Sequence, residues 1–110
     1  MNQTKTILII FIILLLSAAT SCTQKATVFE SQGCGACHKP SEGVENPSLI
    51  NISESYHGME DQLVQYLKEE AEPVINPQKA GIMKPYLEKT KTLSDADLKN
   101  LADFIMSHKQ

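Results

Sequence analysis

The chain has 110 residues, ten of them Lys and none Arg, against 13 Asp and Glu, for a net charge of −3. That balance, with no basic stripe, excludes a nucleic-acid-binding role, which rests on clustered Lys and Arg. The length allows one domain. With no Trp, and only Phe29, Tyr56, Tyr66, Tyr86 and Phe104 as aromatic residues beyond position 11, side chains alone fill a thin core. Domains this small lean on a disulfide, metal, cofactor or partner.

Residues 1–21 read as an export signal. Lys5 precedes an apolar run, Ile7–Leu16, followed by the small residues Ser17, Ala18, Ala19, Thr20 and Ser21. A run that short cannot span ~30 Å of hydrocarbon, which takes about 20 apolar residues, and the pattern is that of a cleaved secretory signal. Ala19-Thr20-Ser21-Cys22 resembles a bacterial lipoprotein box, with Ala19 where Leu is usual. The resemblance implies acylation of Cys22 as a lipid anchor. Ordinary cleavage after Ala19 is the competing reading. Residues 22–25 are then expected to form a short tether, and 26–110 the folded domain.

A helix is expected over Lys25–Gly33, broken where Gly33 and Gly35 turn the chain. Three Cys occur, at 22, 34 and 37. An odd count in an exported chain needs an explanation. With Cys22 set aside, Cys34-Gly35-Ala36-Cys37 is followed at once by His38, the C-x-x-C-H attachment sequence for c-type haem. Two residues between the thiols let both sulfurs reach one edge of the porphyrin, and the adjacent imidazole projects under the iron. Two other chemistries use such a pair. A thioredoxin-like dithiol needs a βαβ pattern, and the chain shows almost no period-2 apolar alternation. A zinc site wants a second ligand pair, and only the isolated His57 and His108 remain.

Lys39–Ser55 reads as loop, punctuated by Pro40, Gly43 and Pro47, with Leu49, Ile50 and Ile52 as apolar anchors. Met59–Ala71 reads as a helix: Leu63, Tyr66 and Leu67 give the i, i+3, i+4 stripe, Glu60 and Asp61 suit the first turn, and Pro73 stops it. Glu72–Thr92 reads as a second loop, stiffened by Pro73, Pro77 and Pro85. Leu93–His108 is the best-signalled helix. Ser94 is its N-cap, Asp97 completes a variant capping box, and Leu93 and Leu98 form a hydrophobic staple. Leu98, Leu101, Ala102 and Ile105 line its apolar stripe, with Phe104 beside it.

Together these residues resemble a small class I c-type cytochrome over Ala26–His108. The resemblance is carried by Phe29 ahead of Cys34–His38, by Pro47-Ser48-Leu49 as a proline turn, by Ile82-Met83-Lys84-Pro85 as a distal methionine loop, and by Leu93–Ile105 as a last helix crossing the first. It implies an all-α fold of three to four helices wrapped around one covalently bound haem. It implies thioethers at Cys34 and Cys37, His38 as proximal iron ligand, the Pro47 carbonyl holding the other ring N–H of His38, and Met83 as distal ligand. Asn46 stands where Gly usually precedes the proline, and Lys84 separates Met83 from Pro85. Met59, Met106 and His57 compete for the distal position.

The function so implied is one-electron transfer in a periplasmic respiratory or other redox chain, by a monomer that is a carrier and not an enzyme. Its expected partners are redox proteins in the membrane, and it would sit on the periplasmic side of a bacterial membrane, tethered at Cys22. Lys39 and Lys84, beside the two ligands in sequence, are candidates for orienting an acidic partner. The rival readings are the electron-outlet subunit of a membrane-associated oxidoreductase, and a haem ligand sensor with a labile Met83.

Overall fold

The computed structural model describes residues 20–43 and 45–110, with side chains from residue 24 onward. The described residues hold five α-helices and no strand: α1 Thr20–Ser31, α2 Leu49–Ser55, α3 Glu60–Leu67, α4 Ala80–Thr90 and α5 Asp95–Met106. Short 3-10 turns, Cys34–Ala36 and Pro77–Lys79, follow α1 and precede α4. The export signal at 1–21 falls almost wholly outside the described residues, as does the side chain of Cys22. No helix among the described residues is long and apolar enough to cross a membrane.

The all-α class is as expected, but the described residues hold five α-helices and not three to four, because the two expected loops each contain one. Ser48 starts α2. Its hydroxyl accepts from Asn51 N at 3.1 Å, while Asn51 Oδ1 faces Ser48 N at 3.4 Å, a full capping box with Asn in the place of Glu. That box, followed by Leu49 and Ile52 at i, i+3, outweighs the upstream prolines. α4 runs through Pro85. The missing N–H removes the bond to the Gly81 carbonyl in the first turn, and Gly81 is exposed, where water can reach it. The proline-rich stretch is thus a helix from Ala80 on.

α3 ends at Leu67, short of the expected Ala71. Glu69 adopts a left-handed φ of 63°. Glu69 N donates to Tyr66 O at 2.9 Å and Glu70 N to Gln65 O at 2.8 Å, the paired bonds of a Schellman ending. Glu69 is not glycine, and its carboxylate is held by Lys91 Nζ at 2.9 Å.

α1 and α5 make the most extensive helix pair. The rings of Phe29 and Phe104 meet at the crossing, centroids 4.8 Å apart. Lys25 Nζ reaches Asp103 Oδ2 across the same crossing at 3.1 Å. The apolar stripe of α5 is buried as expected, Leu98, Leu101, Ala102 and Ile105 all joining the core with Phe29, Leu49 and Leu63. Its N-cap is Ser94, whose hydroxyl accepts from Asp97 N at 3.1 Å and donates to Asp97 Oδ2 at 3.0 Å. The reciprocal half of the box therefore runs through the hydroxyl and not the backbone N–H. At the other end, the Ser53 hydroxyl donates to Met106 O, fastening α2 to α5.

Candidate functional site

The C-x-x-C-H segment owes its shape to the way α1 stops. Gly33 takes a left-handed φ of 76°, which only glycine adopts at no steric cost, and its N–H returns to Glu30 O at 3.0 Å. The chain then coils once. His38 N donates to Cys34 O at 3.0 Å and Cys37 N to the same carbonyl at 3.3 Å. This single turn lets Cys34, Cys37 and His38 all line one cleft. Cys34 is half-buried against the core and Cys37 is exposed. Burial pushes the Cys34 thiol up from its ordinary range; the Glu30 carboxylate adds to this and a local backbone hydrogen bond opposes it.

His38 Nδ1 lies 2.7 Å from Pro47 O. A carbonyl can only accept, so Nδ1 carries a proton, and in the neutral imidazole Nε2 is the nitrogen with the lone pair. The loop supplying that carbonyl is itself anchored, since Leu49 N donates to Lys39 O at 2.9 Å and Ile50 N to Pro40 O at 3.2 Å. Gly43 is pressed against it: a Cβ there would lie 2.4 Å from Asn46 O and 2.6 Å from Ser48 N.

Across the cleft, Met83 sits half-buried in the first turn of α4. The sequence reading held it in a proline-stiffened loop; its rigidity comes instead from the helix. α4 is in turn fastened to α3 by the buried Thr90 hydroxyl, which donates to Leu67 O at 2.6 Å. Phe29, Ile52, Leu63 and Leu67 form much of the remaining wall, and the space they enclose, mouth included, is about 1080 Å³. Tyr56 lines it too, buried, with its hydroxyl accepting from Val74 N at 3.2 Å. The cleft thus presents two thiols, an imidazole lone pair and a soft thioether within apolar and aromatic walls. That donor set fits an iron porphyrin, whose large apolar face needs such walls and whose iron takes nitrogen and sulfur ligands.

The competitors for the distal position do not line the cleft. Met59 is the exposed N-cap of α3, Met106 packs against the core at the end of α5, and His57 is exposed. His108 is half-buried; its Nδ1 lies 2.9 Å from Phe104 O and its ring is edge-on to Phe104 at 4.9 Å. Lys39 Nζ donates to Gly35 O at 2.8 Å. Lys84 is exposed on α4 beside a shallow hollow it shares with Glu69, Glu70 and Glu72. No group of three His, Cys, Asp or Glu that could hold a metal ion gathers among the described residues. The absence of strands among them disfavours a thioredoxin-like dithiol.

Tyr66, Asn76, Lys79 and Tyr86 are among the lining residues that the sequence reading did not assign to the site. Tyr66 was legible only as part of a helical stripe. The other three lie in or beside the segment read as loop, and recognising α4 would have put Tyr86 nearly one turn beyond Met83.

No curated protein matches the chain. The sequence family described as Cytochrome c matches residues 26–109, which covers the second half of α1 and every later helix. The chain therefore belongs to the cytochrome c family, a haem-based electron carrier with one covalently bound c-type haem.

Proposed function

We propose that this chain is a one-electron carrier of a periplasmic redox chain, with thioethers at Cys34 and Cys37 and iron held between His38 and Met83. The observation that carries the reading is that His38, its ring oriented by the 2.7 Å bond from Nδ1 to Pro47 O, lines the same cleft as Met83. The bound haem supplies the one-electron chemistry. The protein's residues supply the rest. The Pro47 carbonyl holds the imidazole in one tautomer and makes it the stronger donor. Met83 would be the second protein ligand to the iron, which would leave no open site for a substrate, and a soft thioether raises the potential relative to a second imidazole. The apolar walls act in the same direction by penalising the extra positive charge of the oxidised centre.

The anchoring of Cys22 by lipid, and service to membrane-bound redox partners, belong to the same proposal. They rest on the Ala19–Cys22 sequence and on chain geometry. Residues 22–25 continue α1 instead of forming an extended tether. At a helical rise of 1.5 Å per residue, Cys22 to Ala26 spans about 6 Å, shorter than an extended leash. A lipid at Cys22 would hold the haem domain hard against the membrane surface, suited to a partner in that membrane.

The test is the visible spectrum of the reduced holoprotein with and without carbon monoxide. A six-coordinate c-type spectrum unmoved by the gas is expected in the wild type, with prompt gas binding in Met83→Ala. A wild type that binds the gas at once would overturn His38/Met83 ligation.

A further inference from the structure

The cleft wall is apolar except at one place. Its polar lining residues apart from the C-x-x-C-H turn and the tyrosines are Glu45, Asn46, Asn76 and Lys79, and these lie together. Lys79 Nζ donates to the backbone carbonyl of Glu45 at 3.4 Å, so the residue just ahead of α4 reaches over to the residue two before Pro47. The reach is set by the backbone. Asn76 adopts a left-handed φ of 46°, Pro77 opens the 3-10 turn, and Lys79 N closes it on Asn76 O at 2.8 Å. Among the described lining residues Lys79 is the one lysine.

A haem is amphipathic. Its thioether edge would be fixed by Cys34 and Cys37, and its two propionate carboxylates lie on the side of the macrocycle away from that edge. Ionised carboxylates cannot rest against the apolar walls without a large desolvation cost. They must leave the cleft where polar groups stand.

We propose that Lys79, Asn76 and Asn46, on the polar rim they share with Glu45, form the haem-propionate site of this protein, with Lys79 as the ion-pairing residue; Glu45 takes part through its backbone carbonyl, and its carboxylate offers the propionates no donor. A lysine ammonium has three donors, and the Glu45 carbonyl occupies one, so Lys79 can bond a propionate without giving up the bridge. The Asn46 and Asn76 side-chain amides add neutral donors at the same rim. Lys79 thereby has two effects. It ties the segment carrying Pro47 to the segment carrying Met83, and it sets positive charge beside the haem, which disfavours the oxidised state. This inference rests on the haem-carrier reading above.

The experiment is the equilibrium reduction potential of the holoprotein at low and high ionic strength, for wild type, Lys79→Gln, Lys79→Met and Lys79→Arg. Lys79 is exposed, so neutral replacements leave the core intact. Both neutral variants are expected to have a lower potential than wild type, and Lys79→Arg to keep it. The difference is expected to shrink at high salt, because a rim-exposed charge pair is screened. Neutral variants with the wild-type potential at low salt overturn the assignment, as does an equal fall in Lys79→Arg. Unchanged potentials with a lower melting temperature would leave Lys79 as a structural bridge only. Failure of the carrier reading shows separately, as haem that leaves the wild-type polypeptide on denaturation or a wild-type spectrum that carbon monoxide shifts.

Discussion

Replacing Thr90 by valine removes one hydroxyl from the interior and changes almost nothing else. Thr90 is 2 % exposed, and its Oγ1 lies 2.6 Å from Leu67 O and 3.3 Å from Leu87 O in its own helix. The hydroxyl has one proton, and the shorter contact takes it. Leu67 is the last residue of α3, so its carbonyl has no partner within that helix, and it is buried. Valine keeps the volume and the β-branch, and helix propensity is nearly the same. What is lost is the bond, and what is left is a buried acceptor without a donor, for a cost of about 1–3 kcal/mol. Serine keeps the bond and loses a methyl, for about 0.8 kcal/mol. In a domain of this size 1 kcal/mol moves the melting temperature by about 4–8 °C. Thermal melts of the holoprotein followed by far-UV circular dichroism should therefore rank wild type above Thr90→Ser and Thr90→Val lowest. If Thr90→Ser melts below Thr90→Val, methyl packing and not the hydroxyl ties α4 to α3, and the reasoning fails.

Two further outcomes follow from the same contacts. Burial alone would push the Asp103 carboxyl up, but hydrogen bonds from Lys99 and Lys25 and their charges outweigh this and hold it below the usual carboxylate range. A lowered folded-state value means stability that is present above the unfolded value, near pH 4, and lost as pH falls through the folded one. Denaturant titrations should find Asp103→Asn less stable than wild type at pH 7 by up to about 1 kcal/mol, since the pair is partly solvated, with the gap closing below about pH 4. Gly43→Ala forces a Cβ against Asn46 O and Ser48 N, both backbone atoms that cannot swing aside. It should cost about 1–3 kcal/mol and, by displacing the Pro47 carbonyl, alter the reduced spectrum, which a substitution felt only in an exposed loop would leave unchanged.

The local signals of this chain were legible without coordinates because they are short-range. Ser94 capped by Asp97 and the stripe Leu98, Leu101, Ala102, Ile105 need nothing beyond helix geometry, and α5 lies where they point. The spacing of Cys34, Cys37 and His38 was likewise enough to name the chemistry, since the thiols and imidazole are gathered by a single turn. Other features depended on atoms far away in sequence. Pro85 reads as a helix breaker, yet α4 passes through it, because one lost bond near an exposed first turn is outweighed by docking Leu87 and Thr90 against α3. The end of α3 was misjudged because the left-handed Glu69 is held by Lys91, a residue 22 positions away. Lys79 gave no signal at all: a lysine in a proline-rich stretch becomes a cleft residue only when the chain brings Glu45 opposite it. Spacing thus pointed to a haem attachment turn, and the family resemblance to an all-α fold around one haem. Only the tertiary structure decided which residues form the rim and walls around that haem, because a cleft is assembled from segments whose neighbours are set by packing and not by sequence.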